Sequence, residues 1–105
     1  MNIYEKMGDT VIVYMPSEVD DYAAGKITEA TEEIFEGQDI RHVVFDFRIT
    51  TFMDSSGIGV VIGRCRNMNY SGGKVVAENM NERIRKIFVV SGLHKLVQMK
   101  EGEKK

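Results

Sequence analysis

Ile40-Arg41-His42-Val43-Val44-Phe45-Asp46-Phe47, followed after a short loop by Thr51-Phe52-Met53-Asp54-Ser55-Ser56-Gly57-Ile58-Gly59, reads as a strand that turns into a helix. The first run is β-branched and aromatic and nearly continuous in its apolar character. That pattern predicts a central strand with both faces covered. Beyond the turn, Ile58, Val61, Ile62, Cys65 and Met68 trace one helical stripe. A strand feeding a helix places Asp54, Ser55 and Ser56 where free backbone N–H groups need partners, so an Asp or Ser oxygen there is a natural N-cap.

Working outward toward the N-terminus, Ile3–Lys6 and Thr10–Met15 are two β-prone runs parted by the turn residues Gly8-Asp9, which predicts a hairpin. Pro16-Ser17 stops the second run, because proline has no N–H for a ladder. Asp20-Asp21 opens a helix with acid at its positive end, and Ala23, Ile27, Ala30, Ile34 and Phe35 recur at helical spacing until Gly37.

Toward the C-terminus, Gly59 and Gly63 lower helix propensity, and close packing against a neighbouring backbone is the expected compensation. Ser71-Gly72-Gly73 reads as a turn and Lys74–Ala77 as a strand. Asn79-Met80-Asn81-Glu82 resembles a capping box starting at Asn79. The helix it starts buries Ile84, Ile87, Phe88 and Ser91 and ends before Gly92. Leu96–Met99 is read as a last strand.

The expected order is β-β-α-β-α-β-α-β. It describes one α/β domain over residues 1–99 with a mixed, mostly parallel sheet, then a charged tail at 100–105.

Bulk composition narrows the function. The 105 residues are 43% hydrophobic and 29% charged, with net charge −2, and so describe an ordinary globule rather than a disordered chain. With no basic excess, neither nucleic acid nor an anionic membrane is the expected partner. The single cysteine, Cys65, and the polar start Asn2-Ile3-Tyr4-Glu5-Lys6 predict a reducing, cytoplasmic setting without a secretory signal.

Catalytic patterns fail one by one. Met53 and Asp54 occupy the glycine places that a G-x-S-x-G elbow requires. Of the two histidines, His42 heads the central strand, far from the motif, and His94 reads as a surface-loop residue. Gly72-Gly73-Lys74 lacks the first glycine and the trailing hydroxyl of a phosphate loop. No C-x-x-C or H-x-x-x-H spacing offers a metal site. Arg83, Arg85 and Lys86 beside Glu82 read as a solvated face. Met53, Met68, Met80 and Met99 read as core fillers, with an exposed Met53 as a possible contact residue.

Phe52-Met53-Asp54-Ser55-Ser56-Gly57-Ile58-Gly59-Val60, with Gly63-Arg64 behind it, resembles the signature of anti-sigma factor antagonists of the STAS superfamily. Glu18-Val19-Asp20, Asp39–Val44, Gly72-Gly73 and Arg85–Phe88 leading to Ser91-Gly92-Leu93 agree with that family in order and spacing. Pro16-Ser17 and Asp21-Tyr22 depart from the residues usual around the acidic turn. The resemblance implies a regulator and not an enzyme, with no cofactor of its own.

It further implies that Ser55 is phosphorylated by an ATP-dependent partner that is both serine kinase and anti-sigma factor. The unphosphorylated form binds that partner and frees a sigma factor, and a serine phosphatase restores the bound state. Asp20, Met53, Asp54, Ser55, Ser56, Gly57 and Ile58 are the implied contact residues. A second reading is a STAS interaction module of a stress-signalling scaffold, or a small-ligand-binding STAS domain.

Overall fold

The computed structural model describes residues 3–37, 39–71 and 73–101. The strands are β1 (Tyr4–Met7), β2 (Thr10–Tyr14), β3 (Glu18–Val19), β4 (His42–Asp46), β5 (Phe52–Met53), β6 (Lys74–Glu78) and β7 (Gln98–Lys100). The helices are α1 (Asp21–Gly37), α2 (Ser55–Ser71) and α3 (Glu82–Ser91). Five strands form the main sheet in the order β1-β2-β4-β6-β7, and β3 and β5 form a separate two-stranded ribbon. The hairpin β1–β2 is antiparallel, with Gly8 at φ 63° in its turn, and the remaining pairings are parallel. The expected order is therefore present, with the two-residue strands β3 and β5 added to it.

Topology decides where the helices go. β2, β4, β6 and β7 lie side by side in chain order, so every crossover steps in the same direction. Right-handed connections then put all three helices on one face. Burial follows that rule. Val11, Val13, Val43, Phe45 and Ala77 are fully buried and Val75 nearly so, while their strand neighbours Ile12, Val44 and Val76 are half-buried. The apolar run of β4 is thus not covered on both faces as its composition suggested. One side faces the helices, and the other stays open.

The core lies between the buried face and the helices. Ala24, Ile27 and Ile34 of α1, Val60, Val61, Cys65 and Met68 of α2, and Ile84 and Phe88 of α3 all pack into it. Phe88 meets Phe47 edge-on, with ring centroids 5.4 Å apart, which ties α3 to the end of β4.

Four local expectations are corrected. The cap of α3 is Asn81, whose side-chain oxygen accepts from Ile84 N at 2.9 Å. Asn79 instead adopts φ 61° and donates from Nδ2 to Asp46 Oδ1 at 3.0 Å. Within α3, Ile87 is only partly buried and Ser91 is exposed. The last strand starts at Gln98 and runs to Lys100, because Gly92 at φ 84° ends α3 and Leu93–Lys95 form a 3₁₀ turn that leaves Leu96 exposed. Gly59 and Gly63 have open space above them, since a Cβ at either would meet nothing within 4 Å. Of the expected turn at 71–73, Ser71 belongs to α2 and Gly72 lies outside the described residues, as do residues 102–105 of the tail.

Candidate functional site

The loop between β4 and α2 is moored before it reaches the motif. Asp46 Oδ1 accepts from Arg48 N at 2.9 Å, which turns the chain after β4. The buried Thr50 hydroxyl donates to Pro16 O at 2.8 Å, and Asn81 Nδ2 donates to Thr50 O at 3.0 Å. Thr51 N and Asp54 N reach back to Ser17 O and Val19 O at 2.8 and 3.2 Å. These bonds extend the β3–β5 ribbon, where Glu18 pairs with Phe52 and Val19 with Met53. The acidic turn and the motif are therefore one rigid unit, although 31 or more residues separate them in the chain.

Two helix N-termini meet at this unit. Asp20 caps α1, its Oδ1 accepting from Ala23 N at 2.9 Å. Asp54 caps α2, its Oδ1 accepting from Ser56 N at 2.8 Å. Both carboxylates sit where a helix dipole favours negative charge. Ser56 Oγ donates to Asp21 Oδ1 at 3.2 Å and so links the two ends.

Ser55 is the first residue of α2; it is exposed, and its hydroxyl has no hydrogen-bond partner among the described residues. Of the adjacent hydroxyls, one is engaged and the other is free.

The expected contact residues divide by exposure. Asp20 and Ser55 are exposed, and Asp54, Ser56 and Ile58 are half-buried. Met53 is only 4% exposed, which corrects the expectation of an exposed Met53. Its side chain lies under Gly57, also buried, where an added Cβ would collide with Met53 Cγ and stand 2.8 Å from Val19 Cγ1. Met53 and Gly57 thus set the height of the motif from below. Sequence reasoning missed the ribbon partners Ser17 and Val19 and the moorings Thr50 and Asn81. A two-residue strand has too short a period to register as a pattern, and hydrogen bonds to loop carbonyls leave no mark in composition.

Open grooves flank the motif. One of about 910 Å³ lies by α3, lined by Ile58, Ile87 and Val90 with Arg83 and Lys86 among its polar residues. Another of about 890 Å³ runs between α1 and α2 from Ser56 past Gly59 and Gly63 to Arg64. Arg64 is nearly buried and stacks on Phe35, with 4.6 Å from its guanidinium carbon to the ring centroid. Burial lowers its pKa, and the charge of Glu32 opposes that shift. A third groove of about 650 Å³ is lined by Asp20, Tyr22, Lys26, Arg48 and Ile49.

Neither histidine engages the motif serines. His42 opens β4 at the strand end remote from the motif, and His94 Nδ1 lies 3.4 Å from Phe88 O. Neither is hydrogen-bonded to Ser55 or Ser56. Among the described residues no group of three or more His, Cys, Asp or Glu side chains is placed to hold a metal ion, and no helix is long and apolar enough to cross a membrane.

Comparison with known proteins places this geometry. The STAS domain family profile matches residues 2–105. The chain is 33% identical over 86 residues to an anti-sigma F factor antagonist of Lysinibacillus sphaericus, covering 81% of this chain and 73% of that one. It is 30% identical over 101 residues to an anti-sigma-B factor antagonist of Bacillus subtilis, covering 94% and 90%. The fold superposes on the anti-sigma factor antagonist SpoIIAA in its unphosphorylated form with a TM-score of 0.79 at 25% identity, covering 95% and 87%. Against the phosphorylated form of Bacillus SpoIIAA the TM-score is 0.79 at 27% identity, covering 96% and 90%. With the profile spanning nearly the whole sequence and these relatives matched over most of their length, the chain belongs to the STAS-domain family of anti-sigma factor antagonists.

Proposed function

We propose that this chain works by partner switching, with Ser55 as the switch. Its unphosphorylated form binds an anti-sigma factor that is also a serine kinase, and that binding frees a sigma factor. The kinase, using ATP, phosphorylates Ser55 and ends the interaction, and a serine phosphatase reverses the modification. Asp20, Asp54, Ser56 and Ile58 are the partner-facing residues that act with Ser55, and Met53 and Gly57 support them. The observation that carries this reading is the exposed, unengaged Ser55 hydroxyl at the first position of α2, beside the capping carboxylate of Asp54.

The charge balance gives the switch its direction. A phosphate on Ser55 adds nearly two negative charges and three acceptor oxygens. The α2 dipole returns only about 0.3–1 kcal/mol, and Asp54 already occupies it. One unit-charge pair at about 4 Å costs on the order of 4 kcal/mol at an effective dielectric of 20. Repulsion from Asp54 and Asp21, together with burial of a dianion under a partner, outweighs the gain from the dipole. The domain stays folded, because Ser55 is exposed and holds nothing in place.

Incubation with a cognate kinase and ATP is expected to add one phosphate, located at Ser55 by peptide mass spectrometry. Ser55→Ala should bind the kinase like the wild type but accept no phosphate, and Ser55→Asp should bind at least about tenfold more weakly, a loss of about 1.4 kcal/mol. Phosphate on Ser56 alone, or undiminished binding by the phosphorylated protein, overturns the assignment.

A further inference from the structure

Because every crossover steps the same way, one face of a mostly parallel sheet carries no helix. Such sheets are ordinarily covered on both sides. The strand register gives the composition of this open face. Its middle row is Glu5, Ile12, Val44, Val76 and Gln98, with three half-buried aliphatic side chains in succession. The row at the N-terminal end of the parallel strands is Met7, Thr10, His42 and Lys74. The row at the C-terminal end is Tyr14, Asp46, Glu78 and Lys100. Met7 and Tyr14 are 55% and 39% exposed and add apolar surface at two corners.

The charges on this face are polarised along the strands. Lys74 and His42 stand at one end with no acid in their row. Asp46 and Glu78 stand at the other, with Lys100 at its edge and Arg48 just beyond. Glu5 leans toward the acidic end, where its carboxylate accepts from the Tyr14 hydroxyl at 2.6 Å.

We infer that this face is the interface of a homodimer in which two sheets pack face to face with their strands antiparallel. The two-fold axis runs along the middle row. Ile12, Val44 and Val76 then each lie over the same residue of the second copy. Lys74 meets Glu78 of the second copy, His42 meets its Asp46, and Thr10 meets its Tyr14. Every contact is made twice, as an isologous interface requires.

The other two-fold arrangement, with its axis along the strands, sets acidic end on acidic end and basic end on basic end. That arrangement forgoes the Lys74–Glu78 and His42–Asp46 pairs and is disfavoured. The apolar row supplies the area removed from water, and the charges choose the orientation. Twist in each sheet offsets the two strand directions by about 30° at a spacing of about 10 Å.

Sedimentation of the purified full chain from about 1 µM to about 1 mM at low salt tests the arrangement over the affinity range of a modest interface. The 11.9 kDa monomer is expected to give way to a species of twice that mass as concentration rises. Lys74→Glu and Glu78→Lys should each raise the dissociation constant at least about tenfold, with unchanged circular dichroism. The double variant Lys74→Glu/Glu78→Lys should return it to within about threefold of wild type, because each swapped charge again faces its opposite. Rescue separates this interface from damage to folding, which a second charge reversal does not repair. A wild type that stays monomeric throughout leaves the face to some other occupant and overturns the inference. So does a dimer indifferent to both single reversals, or a double variant that does not recover.

Discussion

Ser55 and Ser56 are adjacent and chemically identical, yet the fold gives them different work. Ser56 Oγ is spent on Asp21, bridging two helix ends, while Ser55 projects outward without a partner. Beneath them Gly57 lets the start of α2 settle onto Met53 and Val19. A methyl group there must push back the long Met53 side chain and the stiff, fully buried Val19, so Gly57→Ala is expected to destabilise the domain by about 1–3 kcal/mol. Urea unfolding followed by circular dichroism measures this directly, and a midpoint equal to wild type contradicts the proposed contact. Since the displaced atoms lie under the motif, the same variant should weaken binding of the proposed kinase beyond what its stability loss explains.

At the scale of the element, α2 carries two glycines on its exposed surface for which the fold has no visible use. Gly59 and Gly63 sit in the middle of a 17-residue helix with nothing within 4 Å of an added Cβ. Glycine costs roughly 0.8–1 kcal/mol relative to alanine in a helix interior. Gly59→Ala and Gly63→Ala should each raise stability by about 0.5–1 kcal/mol, read from the shift in urea midpoint at constant m-value. Stability that falls instead means that the groove between α1 and α2 has no room for the added methyl groups. Helix α3 shows how capping chemistry misleads when several cap residues cluster. Asn79 and Asn81 are equally good caps by type, and the choice fell to Asn81 because Asn79 is held by Asp46 of the neighbouring strand.

For the molecule as a whole, a single core unites the three helices with one sheet face, and Cys65 lies inside it. Burial raises the pKa of its thiol above the ordinary value. Thiolate, the reactive form, is therefore suppressed in the folded state and reaches reagent chiefly when the core opens. Reaction with a thiol reagent at mildly alkaline pH should be at least about 100-fold slower in the native protein than in concentrated guanidinium.

The sign of the pH linkage follows. A thiol pKa higher in the folded than in the unfolded state adds stability below the unfolded value. That contribution is lost as pH rises from the unfolded value through the folded one. Thermal unfolding scans across that alkaline window should show the wild type losing stability faster than Cys65→Ser.

Read from residues alone, the chain discloses most of its elements. Hairpin turn, central strand, amphipathic stripe and C-terminal glycine each depend on interactions within a few residues, and those leave a period or a punctuation mark in the sequence. The position of Asp54 and Ser55 at a helix start was legible for the same reason, and the family resemblance was carried by those same residues. Other features depend on contacts made across 30 or more positions. The ribbon of Glu18–Val19 with Phe52–Met53, the Ser56 to Asp21 bridge and the burial of Met53 are of that kind. The open face of the sheet is another. Val44 has the same composition whether or not a helix covers it, and only the direction in which successive right-handed crossovers step leaves it uncovered.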